Sequence, residues 1–489
     1  MAMTDPVLLS DLVRRLPAGG RLEGVDAPVI NVTHDSRAAG PGSLFVAIPG
    51  EHHDGHDYVD RAIAGGAAAV IVERDIACPS RIVVPDARAA LPWAAAAVYG
   101  DPSRHLAVIG VTGTNGKTTV THILEQIVVA AGRAAAIVGT VGARIGDADR
   151  AVARTTPEAS DLQRLLSDMV DAGVDVAAIE VSSHALTLHR VDAIHFRVAA
   201  FTNLMQDHLD FHGDMEEYFA AKASLFTADR TDHAVIVIDD EWGRRIVADT
   251  EVPVTTVAVG RDADITASSI TESISGSSFV ITARRRQISV ELPIPGRFNV
   301  ENALVAVAVA LELGIDDAAI ARGLSTVGTI PGRFEHIESG RHFGVVVDYA
   351  HTPDAIEAVV DSALRISRGR VIAVFGAGGD RDQEKRPAMG RAASRADIAI
   401  LTSDNPRSED PAVIMAAVRS GIPAATTIVE EPDRRRAIRA ALESAEPDDL
   451  VLILGKGHET GQDVAGVIEP FDDRTVVLEE LRTMTEVVS

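Results

Sequence analysis

Short apolar runs alternate with helix-period stretches along the whole chain. In the middle lie Leu106 to Ile109, Val174 to Ile179 and Ala234 to Ile238; toward the end lie Val345 to Val347, Val371 to Phe375, Ile398 to Leu401 and Leu450 to Leu454. Such strands separated by helical segments predict α/β layers built on mainly parallel sheets. Before about Asp101, the shorter strands Ser43 to Ile48, Ala68 to Val72 and Arg81 to Val84 alternate with Ala-rich helices and form a smaller α/β unit. Ile265 to Leu292 reads as an antiparallel excursion closed by Pro293 and Pro295, and Pro331-Gly332 punctuates a second boundary. The expected division is 1–101, a small N-terminal α/β domain; 102–330, a central domain with a mainly parallel sheet; and 331–489, a C-terminal Rossmann-like α/β domain.

Length agrees, since 489 residues at about 100–200 per domain suggest three units. The chain is 46% hydrophobic and 24% charged, as soluble globular proteins are. No apolar run nears the roughly 18 residues of a membrane span, because even the stretch from Ala303 is interrupted by Glu312. Asp5 and Asp11 at the start are unlike a signal peptide, and the single Cys78 excludes intramolecular disulfides and cysteine zinc sites. A cytoplasmic protein is expected. The formal charge of −25 argues against non-specific nucleic-acid binding while permitting a small anion in a locally positive pocket.

That charge hides an imbalance among the cations. Of 46 Lys plus Arg, four are lysines: Lys117, Lys222, Lys385 and Lys456. Arginine cannot replace lysine where a compact ammonium or a deprotonatable amine is needed, so each lysine is a candidate for chemistry. Lys117 lies in Gly110-Val-Thr-Gly-Thr-Asn-Gly-Lys-Thr-Thr119, between a strand and a helix that runs to Gly132. Glycines there let backbone N–H groups close around phosphate, Lys117 reaches the terminal phosphates and Thr118 reaches magnesium. The strict pattern has glycine at position 111, where this chain has Val.

Other polar clusters also follow strands. Glu180 ends one, with Ser182, Ser183 and His184 after it; His208 sits in a second cluster from Phe201 to Asp210. In the last segment, four loops fall at carboxyl ends of strands, where open parallel sheets bind ligands: Asp348-Tyr-Ala-His-Thr-Pro353, Gly376-Ala-Gly-Gly-Asp-Arg-Asp382, Asp404-Asn-Pro-Arg407 and Gly455-Lys-Gly-His-Glu459.

Taken together, Gly113-Thr-Asn-Gly-Lys-Thr118, Glu180-Val-Ser-Ser-His184, Asp207-His-Leu-Asp210, Tyr218-Phe-Ala-Ala-Lys222 and Asp404-Asn-Pro-Arg407 resemble the Mur ligases, most closely their diaminopimelate-adding branch. The resemblance spans nearly the whole chain. It implies an ATP-dependent amide ligase of cytoplasmic peptidoglycan synthesis, which adds meso-diaminopimelate to UDP-N-acetylmuramoyl-L-alanyl-D-glutamate through an acyl phosphate. The N-terminal domain would bind the UDP-sugar, the central domain ATP, and the C-terminal domain the incoming amino acid.

The same likeness implies the site residues. ATP, as co-substrate, would meet Gly113, Thr114, Asn115, Gly116, Lys117, Thr118, Thr119, Asn302, Arg333, Asp348 and His351. Mg²⁺ would be held by Thr118, Glu180, His208 and Lys222, the last carrying a carbamate made from carbon dioxide; catalysis would rest on Lys117, Lys222, Glu180 and His208. The UDP-linked dipeptide would meet His34, Ser36, Glu51, His52, His53, Thr155, Thr156, Ser182 and Arg190, although Leu188 and the Glu51-His-His53 turn depart from the family pattern. Diaminopimelate would meet Arg381, Asp404, Asn405, Pro406, Arg407, Gly455 and Glu459. Its second carboxylate suits a planar guanidinium, which favours it over lysine. A monomer acting on small molecules, without nucleic acid or membrane, is expected. The alternatives are a lysine-adding, D-Ala-D-Ala-adding or folylpolyglutamate ligase, or a phosphate-loop switch module without an amine acceptor.

Overall fold

The computed structural model describes residues 5–50, 53–284 and 286–486. Three separate sheets carry the three segments, as the strand rhythm predicts. The first has five strands in the order Arg21–Gly24, Ser80–Val83, Ala69–Val72, Ser43–Val46 and Asn31–Thr33; Arg21–Gly24 is antiparallel and the rest are parallel.

The central sheet has eleven strands. Its middle is parallel, from Ala135–Gly139 through Val176–Glu180, Ala107–Thr112, Val198–Phe201 and Ala234–Val237 to Val254–Ala258. Successive side chains of a strand point to opposite faces. Ile109 and Val111 therefore pack under the helices Lys117–Ala130 and Arg297–Glu312, while Val108 joins Leu162, Leu166 and Tyr218 on the other face. The helix Arg297–Glu312 is buried at nearly every position from Asn299 to Ala310, which explains its unbroken Ala and Val. No helix among the described residues is long and apolar enough to cross a membrane.

The antiparallel excursion is present but is not a separate body. Ile265–Ser273, Gly276–Ala283 and Arg286–Leu292 form a meander that continues the central sheet, since Ile265 pairs in parallel with Val257. The strand after Leu106 also runs further than expected. Ala107–Thr112 places Val111 in ladder pairing with Glu180 and Ala200, fully buried, so the position where the strict phosphate-loop pattern has glycine here belongs to the strand.

The C-terminal sheet has the order Glu335–Ile337, Gly344–Asp348, Leu450–Leu454, Val371–Phe375, Ile398–Leu401 and Ile428–Glu430, parallel except for Glu335–Ile337. Helices cover both faces. The parallel strands all deliver their following loops to one edge. Passage from the central unit takes few residues: Ile330 is buried in the central core and Phe334 in the C-terminal one. Between them Gly332 adopts φ +65°, and a Cβ there would meet His458 N at 2.3 Å.

Candidate active site

The phosphate loop is shaped by close backbone approach. Gly113 and Gly116 have positive φ; a Cβ on the first would lie 1.9 Å from Thr202 Oγ1, and on the second 2.2 Å from Asn302 Oδ1. The loop is tied to the neighbouring strand end by Asn115 N donating to Asn203 Oδ1 at 2.9 Å and Thr202 Oγ1 donating to Asn115 O at 2.6 Å. Lys117 then opens the helix Lys117–Ala130, whose N-terminus favours negative charge.

Two ammonium groups converge on this loop. Lys117 Nζ donates to Gly113 O and Thr114 O, both at 2.8 Å, and Lys222 Nζ donates to the same Gly113 O at 2.8 Å. Lys222 comes from the helix Met215–Ala223, is 1% exposed, and lies 4.7 Å from the Tyr218 ring centroid. Neither lysine forms an ion pair among the described residues. Burial, then the charge of Lys117, push the Lys222 ammonium well below its ordinary range; burial also lowers Lys117. A lysine so placed readily becomes a neutral, nucleophilic amine.

The expected metal-ligand residues lie around the same loop. Glu180 is buried, with Oε1 accepting from Thr140 N and Oε2 from Thr140 Oγ1, each at 2.9 Å. Gly139 makes room for it, since a Cβ there would lie 2.0 Å from Glu180 Oε1. Thr118 Oγ1 accepts from Arg333 Nη2 at 3.0 Å, across the boundary to the C-terminal unit. His208 has a left-handed backbone, φ 55°, and its ring lies perpendicular to that of His184 with centroids 4.8 Å apart. Burial, outweighing the Asp207 carboxylate, lowers the imidazole of His208 to about 3. No cluster of three His, Cys, Asp or Glu suited to a metal occurs among the described residues. Magnesium characteristically keeps waters and takes one or two carboxylates plus substrate phosphates, so the Thr118 and Glu180 oxygens beside a phosphate loop fit it.

A cavity of about 460 Å³ between the central and C-terminal units is lined by Asn115, Gly116, Thr119, Asn302, Arg333 and Asp348 from the residues expected at ATP, whereas Gly113, Thr114, Lys117 and Thr118 are not part of its lining. Asp348 is buried, with Oδ1 accepting from Ala350 N and Oδ2 from Phe334 N. His351 does not line this cavity. Its Nδ1 pairs with Tyr349 O at 2.8 Å and its Nε2 is 4.0 Å from Asp207 Oδ2, at the contact between the units.

That contact reveals what the sequence reading missed. Lys385, which carried no assigned role, places Nζ 3.2 Å from Asp207 Oδ1, and Gln206 Nε2 donates to Asp382 Oδ2 at 3.2 Å. Burial works against the Asp207 charge, but His208, His351 and Lys385 outweigh it and hold the carboxyl well below the usual range. The clue was the scarcity of lysine; its partner could not be read from local spacing.

The N-terminal unit contributes a cavity of about 590 Å³ lined by His34, Ser36 and His53 together with Arg37, Arg61, Arg88 and Arg154. Arg37 belongs to the Asp35-Ser-Arg37 element of the family resemblance, whereas Arg61, Arg88 and Arg154 carried no expectation from the sequence. Glu51 and His52 lie outside the described residues. Thr156 is buried and donates to Glu180 O at 2.7 Å, while Ser182 caps a helix through Ala185 N. Thr155 Oγ1 pairs with Thr140 Oγ1 at 3.1 Å, and Arg190 pairs with Glu158 at 2.9 Å. Thr155, Thr156, Ser182 and Arg190 are thus brought near Glu180 through Thr140 and Thr156, and the Glu158 partner of Arg190 lines the N-terminal cavity.

Among the C-terminal loops, Arg407 Nη1 donates to Gly379 O at 2.5 Å, and its φ of 51° is held by a backbone bridge in which Arg407 N donates to Asp463 O and Ala465 N to Arg407 O. Gly455 has φ +116°, and a Cβ there would lie 2.4 Å from Asp404 Oδ2. Asp404 is buried, and Pro406 presses its carbonyl against Gly379, where a Cβ would lie 1.9 Å from Pro406 O. Asn405 Nδ2 donates to Glu459 Oε2 at 2.8 Å. Arg381 stands exposed on the neighbouring loop. Lys456 does not face this space; it is wholly buried.

Three family models match in sequence: the Mur ligase family catalytic domain over residues 28–107, the Mur ligase middle domain over 111–310, and the Mur ligase glutamate ligase domain over 332–457. The chain belongs to the Mur ligase family. Over 481 residues it is 45% identical to the UDP-N-acetylmuramoyl-L-alanyl-D-glutamate--2,6-diaminopimelate ligase of Streptomyces coelicolor, with 94% of each chain covered. A protein of the same name from Geobacillus thermodenitrificans is 44% identical over 478 residues, covering 96% of this chain and 98% of that one. A solved structure of a ligase bearing that name superposes with a TM-score of 0.70 at 33% identity, covering 98% of this Mur ligase and 99% of the other chain.

Proposed function

We propose that this Mur ligase joins meso-diaminopimelate to the D-glutamate of UDP-N-acetylmuramoyl-L-alanyl-D-glutamate at the expense of ATP. The observation that carries the reading is the meeting of two half-sites across one domain contact: a phosphate loop with the half-buried Lys117 and the buried Lys222, and acceptor loops bearing Arg407 and Glu459, with Asp207 and Lys385 paired at the contact. Relatives above 40% identity over nearly their full length are named for this reaction. The functional units we assign are 1–101 for the UDP-sugar, 102–330 for ATP and 331–489 for the acceptor.

A carboxylate does not acylate amines until its oxygen becomes a good leaving group. The γ-carboxylate of D-glutamate therefore attacks the terminal phosphorus of ATP, and ADP departs. Lys117 and the helix N-terminus behind it stabilise the charge that builds on the phosphoryl oxygens. Thr118 and Glu180, with His208 and a carbamate on Lys222, would hold Mg²⁺, which supplies charge neutralisation for phosphoryl transfer. The neutral amine of Lys222 takes up carbon dioxide, forming a C–N bond and releasing one proton, so that a neutral group becomes an anion. Arg407 and Glu459 hold the distal carboxylate and ammonium of the acceptor. Its other amine attacks the acyl phosphate, and phosphate leaves. Closure of the C-terminal unit on the central one keeps water from the acyl phosphate. We place the reaction in the cytoplasm, where ATP and UDP-linked precursors are available, with the chain acting as a monomer.

The test is ADP release in the presence of the UDP-linked dipeptide with meso-diaminopimelate, lysine or D-Ala-D-Ala offered in turn. Stimulation by diaminopimelate is expected. A response to lysine alone overturns the acceptor assignment, and ATP hydrolysis indifferent to every acceptor overturns the ligase reading.

A further inference from the structure

Lys456 is a fully buried ammonium on a loop otherwise read as substrate-binding, and its environment says what it does. An ammonium has three N–H donors. Here Nζ donates to Asn405 Oδ1 at 3.1 Å, Glu459 Oε2 at 3.2 Å and Gly461 O at 2.6 Å. All three donors are engaged, so Lys456 has nothing left to offer a ligand.

The consequence falls on its neighbours. Asn405 Oδ1 also accepts from Asp463 N at 3.0 Å, so the oxygen of the amide is fixed by two donors. Flipping the amide would set its N–H groups against the Lys456 ammonium and the Asp463 N–H. The nitrogen must therefore face Glu459, and Nδ2 donates to Glu459 Oε2 at 2.8 Å. Both bonds to the Glu459 carboxylate end on Oε2, which leaves Oε1 without a hydrogen-bond partner among the described residues. The Glu459 side chain is 32% exposed, so this oxygen belongs to a reachable carboxylate.

We propose that Lys456 is a positioning residue for acceptor selection: through Asn405 it fixes Glu459 so that Oε1 receives the distal ammonium of a diamino acid. This rests on the acceptor assignment above and adds the residue that orients it. Removing the ammonium leaves Asp463 N as the one donor holding the Asn405 amide oxygen and takes a bond from Glu459 Oε2, so both side chains loosen, and the preference for a second ammonium weakens although every group that touches the acceptor is still present.

The experiment compares two acceptors on the full-length enzyme with ATP and the UDP-linked dipeptide: meso-diaminopimelate, and 2-aminopimelate, which keeps both carboxylates but lacks the distal ammonium. The wild type is expected to prefer the first by about 100-fold in kcat/KM, the range of a hydrogen bond to a charged group. Lys456→Met should lower kcat/KM for diaminopimelate by about 10- to 100-fold, mainly through KM, and reduce the preference toward that of Glu459→Gln. KM for ATP and for the UDP-linked substrate should stay within about twofold, since uniform binding there is untouched. A Lys456→Met enzyme that keeps the wild-type preference, whatever its absolute rate, overturns the proposal and leaves the acceptor assignment standing. A wild type that uses neither acceptor overturns both. If Lys456→Met fails to fold, Lys456→Arg supplies the same ratio: its planar fork cannot repeat the three-way geometry of an ammonium, and an unchanged preference there is equally fatal.

Discussion

Two loop regions of this molecule draw lysine ammonium groups inward, and they do so in opposite ways. In the acceptor loops, Lys456 has three acceptors, one of them a carboxylate, and below it the wholly buried Arg434 pairs with Asp473 at 2.7 Å and reaches Leu454 O at 3.0 Å. At the phosphate loop, Lys117 and Lys222 share one carbonyl, Gly113 O, and repel each other. Burying a charge is tolerable when it is paired and costly when it is not. The cations of the C-terminal loops are therefore balanced within the fold, whereas Lys117 and Lys222 at the phosphate loop have no ion-pair partner among the described residues and would be balanced by an anion such as phosphate, or by the carbamate proposed on Lys222.

The strongest way to break this contrast is Lys222→Arg. It keeps the positive charge but cannot become an anion, and turnover is expected to fall by about 10³-fold, measured as ADP release, with less effect on the acceptor preference. An enzyme near full rate would remove the carbamate. Next in size is Arg407→Ala on the balanced side: kcat/KM for diaminopimelate should drop about 100-fold, while ADP affinity by calorimetry stays unchanged. Loss of ADP binding in that variant would mean that the two regions are not separable.

Lys385→Met tests the seam between them. It leaves the Asp207 charge without its ammonium partner, and a reduction of about tenfold in kcat with a lowered Tm is expected; the double variant with Asp207→Asn should recover part of the Tm, because the unpaired charge is then gone. The smallest effect concerns Glu301, which lines the nucleotide cavity. Burial, with Asp239 and Asp240 nearby, pushes its carboxyl up from 4.5 to about 8. The folded state thus binds this proton more tightly than the unfolded state, and the stability it contributes at low pH is lost as pH rises from 4.5 through 8. Tm of wild type minus Tm of Glu301→Gln should fall between pH 5 and pH 8, and a flat difference would disprove the raised carboxyl.

Legibility followed locality. Val371–Phe375, Ile398–Leu401 and Leu450–Leu454 appear at the residues their apolar runs mark, because a strand buried on both faces has no other composition. Arg21–Gly24, Ala148–Arg150 and Ile428–Glu430 did not, since each lies at a sheet edge and carries exposed polar residues. The phosphate loop was readable because its glycines answer to close contacts within one short turn. Glu180 could be marked as a functional carboxylate, but not its grip on Thr140, nor the reach of Lys385 to Asp207 across 178 positions, because only the folded topology brings those partners together. Lys456 was noticed for its rarity and for its place in the Gly455–Glu459 loop, where it does lie, but a motif shows that a lysine sits in a loop, not that it turns inward.

The short passage from Ile330 to Phe334 limits how this enzyme can move. Four residue steps span at most about 14 Å even when straight, and both ends are anchored in different cores, so the C-terminal unit has little room to slide and must mainly pivot. Within that pivot stands Arg333, whose guanidinium reaches Thr118 at the phosphate loop, and beside it Gly332 O accepts from Tyr349 N in the C-terminal unit. The hinge and the nucleotide contact are thus the same few residues. A ligand that takes the Thr118 hydroxyl therefore competes directly with Arg333, a residue of the inter-unit passage itself, with no intervening side chain between the two.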